Sequence, residues 1–117
     1  MDEQEMEEDY LNWAGTYQGV VPCEGCDGMR ISLELREDEN YNLRIDYLGS
    51  DRETEIYDYI FTWNIRGDII MLMNEEYDLF EHFQLVEDAA YLLVHNGKEV
   101  SKGDGFEATY RINKQKK

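Results

Sequence analysis

The sequence predicts an all-β fold, a small antiparallel meander closed or nearly closed into a barrel of about eight strands. Three observations predict it. Apolar and polar residues alternate in segment after segment, as they do in strands with one buried face. No long stretch carries the helical period, and the chain has a single proline. Glycine, asparagine, aspartate and charge punctuate the apolar segments at close spacing, as turns between short strands require. Closure follows because so many strands would otherwise present open edges to other chains.

The first strand is "WAGTYQGVV". In "MRISLELRE" Ile31, Leu33 and Leu35 fall on one face while Arg30, Ser32, Glu34 and Arg36 fall on the other. A turn at "EDEN" leads to "YNLRIDYLG", where Tyr41, Leu43, Ile45 and Tyr47 alternate with Asn42, Arg44 and Asp46, so the two segments form a hairpin. "TEIYDYIFTWNI" places Tyr57, Tyr59, Phe61, Trp63 and Ile65 on one face and is the most aromatic strand. Arg66, Gly67 and Asp68 read as a hairpin turn, since glycine already explains the reversal, and not as an adhesion motif. "IIMLMN", "DLFEHFQLVE", "AYLLVHNG" and "GFEATYRIN" complete the set.

At 117 residues the chain is long enough for one core and too short for two. Residues 1–12 read as a flexible acidic leader, 13–113 as the domain and 114–117 as a basic tail. The net charge of -16 repels phosphates and anionic lipid, so the pattern excludes nucleic acid as a partner. No apolar run approaches the roughly 18 residues of a membrane span.

Chemistry concentrates in "VVPCEGCDGM", which holds both cysteines, Cys23 and Cys26. Three readings stand open: a disulfide staple, a redox couple, or part of a metal site. A thioredoxin-type pair sits at a helix N-terminus, whereas strands flank this one, and Glu24 and Asp27 disfavour a thiolate nucleophile. Structural zinc lacks a second cysteine pair, and His82 and His95 are not in finger spacing, so both read as satisfied strand or surface histidines. Copper(I) accepts two or three sulfurs, and Met29 lies three residues beyond Cys26, so Cys23, Cys26 and Met29 are the candidate metal donors. Met29 reads equally as the core residue that opens a strand. A bridge within the four-residue loop would contribute roughly 2 kcal/mol. The ring face from Tyr57 to Trp63 raises a small apolar ligand inside the barrel, although a packed core explains it equally. No Ser-His-acid set and no phosphate loop stands out, so an enzyme is not expected and no catalytic residue is assigned.

The run "GTYQGVVPCEGCDGMRISLEL", through Gly15, Tyr17, Gly19, Pro22, Cys23, Cys26 and Gly28, resembles the N-terminal domain of the NlpE family, copper-homeostasis lipoproteins of the bacterial outer membrane. "YNLRIDYLG", "TWNIRGDIIML" and "NGKEV" extend the resemblance over nearly the whole chain from Trp13. The resemblance implies a lipocalin-like barrel with the cysteine motif on the loop after the first strand. It also implies a periplasmic location at the outer membrane through a lipid anchor, envelope-stress signalling through a sensor kinase, and a metal or redox role at Cys23 and Cys26. Three departures mark this chain. It has no spare cysteine for lipidation, which leads us to expect that a signal and lipid-bearing cysteine are missing from it; the C-terminal domain of longer members is absent; and Met29 replaces the usual isoleucine.

Overall fold

The computed structural model describes residues 13–100, 105 and 109–115. The acidic leader at 1–12 and residues 116–117 of the basic tail lie outside the described residues, as do 106–108 of the expected last strand. Nine strands are present among the described residues: β1 (Gly15–Val21), β2 (Gly28–Leu35), β3 (Asn40–Leu48), β4 (Glu55–Trp63), β5 (Ile69–Met73), β6 (Leu79–Val86), β7 (Ala89–His95), β8 (Lys98–Glu99) and β9 (Arg111–Lys114).

Eight of them close an antiparallel ring. Strands β1 to β7 form a meander, and β9 pairs with β7 on one side and β1 on the other. Strand β8 pairs only with the end of β7, through Val94↔Glu99 and His95↔Lys98. The all-β barrel expected from alternation is therefore what forms, closed and without open ring edges. At its seam the strands come close: a Cβ on Gly19 would lie 2.9 Å from the Arg111 carbonyl oxygen and 3.0 Å from Ile112 Cα. Glycine is what lets β9 reach β1 there.

Alternation places the core. Tyr17 and Val21 of β1, Ile31, Leu33 and Leu35 of β2, Tyr41, Leu43 and Ile45 of β3, and Ile70, Leu72, Phe83, Leu92 and Ile112 beyond are all buried. Each fully buried aliphatic or Phe side chain contributes roughly 1.5–3 kcal/mol relative to exposure. Register keeps the faces matched across β2 and β3, with Ile31↔Ile45 and Leu33↔Leu43 in direct opposition. On β4, Phe61 is buried and Tyr57, Tyr59 and Trp63 are half-buried against the core. Trp13 packs edge-on to Phe61 at 5.7 Å and to Trp63 at 5.4 Å, covering one end of the barrel.

Two local expectations are corrected. Ile65 is fully exposed and does not continue the inward face of β4, because the strand stops at Trp63. Asn64 takes over there: its Oδ1 accepts from the amides of Gly67, Asp68 and Ile69, building the turn that carries Arg66 to Asp68. Among the described residues the last strand is only Arg111–Lys114, shorter than "GFEATYRIN" suggests.

In an up-and-down meander successive turns alternate between ends. The β1–β2 and β3–β4 connections and the C-terminal end of β7 thus share one end. Trp13 and the β4–β5 turn occupy the other.

Candidate functional site

The cysteine loop spans 22–27, between β1 and β2, at the end opposite Trp13. Strands flank it on both sides, as expected. Cys23 and Cys26 form a disulfide, with S–S 2.03 Å and Cα–Cα 5.4 Å. Gly25 sits at φ +81, the left-handed conformation that a sharp four-residue reversal needs. The Asp27 amide donates to the Leu48 carbonyl at 2.8 Å, tying the loop to the end of β3.

That tie brings in a residue 29 positions away. The Arg52 guanidinium donates from Nη2 to Cys23 Sγ at 3.0 Å and to the Glu24 carbonyl at 3.2 Å. Its carbon lies 4.0 Å from the centre of the Tyr47 ring, a cation–π stack. The Arg52 amide donates to Ser50 Oγ at 3.1 Å, fixing the connection that carries it. Tyr47 in turn donates its hydroxyl to Glu55 Oε1 at 2.7 Å, and burial together with this acceptor pushes the Tyr47 phenol well up. Among the described residues no carboxylate lies within ion-pair distance of Arg52, so its charge is available to the sulfur. The unfavourable electrostatics expected from Glu24 and Asp27 therefore give an incomplete picture. Asp27 folds its carboxylate over Gly49, Glu24 contributes a carbonyl, and a cation faces Cys23.

Deeper at the same end sits a carboxylate on the inward face. Glu81 of β6 is fully buried, opposite Leu72, and its Oε2 meets His95 Nδ1 at 2.8 Å and the Asn96 amide at 3.0 Å. Its Oε1 has no partner. Burial pushes the Glu81 carboxyl up, against the opposing pull of His95. Burial alone would push His95 down, but the Glu81 carboxylate outweighs it and holds the imidazole above its ordinary value. Instead of the satisfied surface histidine expected, His95 is half of a buried pair. His82 also departs from expectation, since its Nε2 is buried without a partner.

Cys23, Met29, Tyr47, Arg52, His95 and Tyr110 line one cavity of about 610 Å³ at this end of the barrel. Met29 opens the inward face of β2 and is 4 % exposed, so the core reading and the cavity reading hold at once. In the oxidised state the donors do not fit copper(I). Both sulfurs are spent in the disulfide, and among the described residues no group of three or more His, Cys, Asp or Glu side chains is placed to hold a metal ion.

Sequence reasoning located the loop and missed Arg52, Tyr47, Glu81 and the role of His95. Glu81 carried a signal, for it holds the same parity as Phe83 in "DLFEHFQLVE", a charge at an inward position. Arg52 carried none, since only the β2–β3 pairing and the loop after β3 bring it to Cys23.

Comparison with known proteins places this barrel among relatives. The family model of the NlpE N-terminal domain matches residues 17–103. Lipoprotein NlpE of Escherichia coli strain K12 is 26% identical over 85 residues, which are 73% of this chain and 36% of that protein. The chain thus spans about a third of the length of that relative. A Shewanella oneidensis protein provisionally assigned as a lipoprotein superposes with a TM-score of 0.72 at 27% identity, over 92% of this chain and 94% of its own. The Cpx pathway activator NlpE from Escherichia coli superposes with a TM-score of 0.61 at 22% identity, over 76% and 46% of the two chains.

Proposed function

The chain belongs to the NlpE N-terminal domain family, and from that premise we propose that it is a non-enzymatic domain of the bacterial envelope whose Cys23–Cys26 pair responds to redox state. One observation carries the reading: a disulfide on a partly exposed loop, against a guanidinium and at the mouth of a cavity. Disulfides persist in oxidising compartments, which agrees with a periplasmic location at the outer membrane. A lipoprotein relative and a Cpx pathway activator among the similar proteins support attachment through a lipid anchor and an envelope-stress sensor kinase as partner.

Reduction changes what the site offers. Two thiolates are the donor class that takes copper(I), and the Met29 thioether lines the same cavity. Metal binding therefore belongs to the reduced form. Thiol counting on protein purified without reductant, followed by copper(I) titration before and after reduction, tests the reading. We expect no free thiol at first, and stoichiometric binding only after reduction that is lost in Cys23→Ser, Cys26→Ser. Free thiols in the untreated protein would overturn the redox assignment, and equal binding by the double variant would remove the cysteines as donors.

The alternative is a lipocalin-like carrier of a small apolar ligand, with the pair as a structural disulfide. The cavity of about 610 Å³ favours it. Against it, Leu33, Leu43, Ile70, Leu72, Phe83 and Leu92 fill the interior and leave a ligand only the mouth. Saturable uptake of an apolar fluorescent probe, competed by lipid, would favour the carrier; no uptake would dismiss it.

A further inference from the structure

The two sulfurs of the bridge have unlike surroundings. Cys23 Sγ accepts from Arg52 Nη2 at 3.0 Å, whereas Cys26 Sγ lies 3.3 Å from the Gly28 carbonyl oxygen. A guanidinium stabilises a thiolate, and a carbonyl oxygen stabilises a thiol that can donate to it. Three contacts hold the guanidinium although its side chain is exposed: the sulfur, the Glu24 carbonyl and the Tyr47 ring. The Tyr47 ring is itself anchored through its hydroxyl to Glu55.

We propose that the pair is a thiol–disulfide exchange centre for a partner dithiol, in which Cys23 is the exchanging sulfur, Arg52 receives its thiolate, and Cys26 is the resolving thiol. This rests on the redox reading above and assigns its chemistry. In the first step a partner thiolate attacks Cys23 Sγ. The Cys23–Cys26 bond breaks, a mixed disulfide forms, and Cys26 leaves with the electron pair and takes a proton from water. The partner's second thiolate then attacks its own first sulfur and expels Cys23 as a thiolate against Arg52. Two electrons pass from the partner dithiol to this chain, the partner becomes a disulfide, and no other oxidant is needed. Run backwards, the Cys23 thiolate attacks a partner disulfide and Cys26 resolves the intermediate.

Glutathione disulfide serves as the probe, with single-thiol variants and mass detection at pH 7. A neighbouring opposite charge raises the thiolate population by about tenfold per unit of stabilisation. The stabilised thiolate is about threefold less nucleophilic, which leaves a net gain of about threefold. Cys26→Ser, which keeps Cys23, should therefore form its mixed disulfide about threefold faster than Cys23→Ser. Adding Arg52→Gln to Cys26→Ser should abolish the advantage, and Arg52→Lys should retain most of it. Equal rates at the two sulfurs, or an Arg52→Gln rate unchanged from its parent, would overturn the assignment. Circular dichroism of each variant confirms the barrel. The wild-type protein in mixed glutathione buffers tests the underlying reading separately: failure of the pair to interconvert there, with Cys23 still the faster single thiol, would sink the redox reading and leave the Arg52 contact standing.

Discussion

Replacing both cysteines with serine separates a switch from a staple. The bridge closes a loop of four residues, with a sequence separation of 3, and the chain-entropy model assigns such a loop about 2 kcal/mol. The loop has other supports that the substitution leaves alone: the Asp27 amide on the Leu48 carbonyl, Arg52 on the Glu24 carbonyl, and the full β1–β2 pairing from Gly15↔Leu35 to Val21↔Met29. No buried aliphatic contact is lost. For a domain of this size, about 2 kcal/mol corresponds to a fall in melting temperature of about 8 °C. Reduced wild type should fall less, because its Cys23 thiolate keeps a charge-assisted contact with Arg52. Thermal melts by circular dichroism, for oxidised, reduced and double-serine protein, give the three values. A double variant that unfolds outright, or loses about 5 kcal/mol, would show that the barrel depends on the bridge and would refute the reasoning.

Two further predictions concern the barrel. The Glu81 carboxyl and the His95 imidazole are both raised above their ordinary values of 4.5 and 6.5, so the folded state binds more protons than the unfolded state. The stability His95 contributes is fully present below pH 6.5 and is lost as the pH rises through its raised folded value, and Glu81 acts in the same direction from pH 4.5 upward. His95→Gln should flatten the decline of melting temperature above pH 6.5; parallel profiles for variant and wild type would contradict the pairing. Gly19→Val places a Cβ 2.9 Å from the Arg111 carbonyl oxygen and should cost about 1–3 kcal/mol in urea denaturation, and an unchanged midpoint would show that the β1–β9 seam is looser than described.

The barrel was legible because one face of every meander strand is buried, and burial selects apolar residues at a period of two. That rule also explains where reading failed. Ile65 keeps the parity of Trp63, but Asn64 ends the strand by capturing three amides, and a turn has no inward face. The two-residue β8 is too short to show any period. The cysteine loop was legible in its place but not in its electrostatics. Sequence neighbours Glu24 and Asp27 suggested a negative setting, whereas the atom against Cys23 Sγ belongs to Arg52, brought there by β2–β3 pairing. Glu81 defied the usual depletion of charge from the interior and pairs with His95 across strands 14 residues apart.

The central claim is that Cys23 and Cys26 interconvert between bridge and dithiol while the barrel stays folded. Equilibrating the protein across defined ratios of glutathione to glutathione disulfide, with acid quench and intact-mass measurement, tests it most directly. The account predicts a single reversible two-electron transition, the same from either direction, with unchanged far-ultraviolet circular dichroism. A bridge that no ratio reduces unless the barrel unfolds would contradict it.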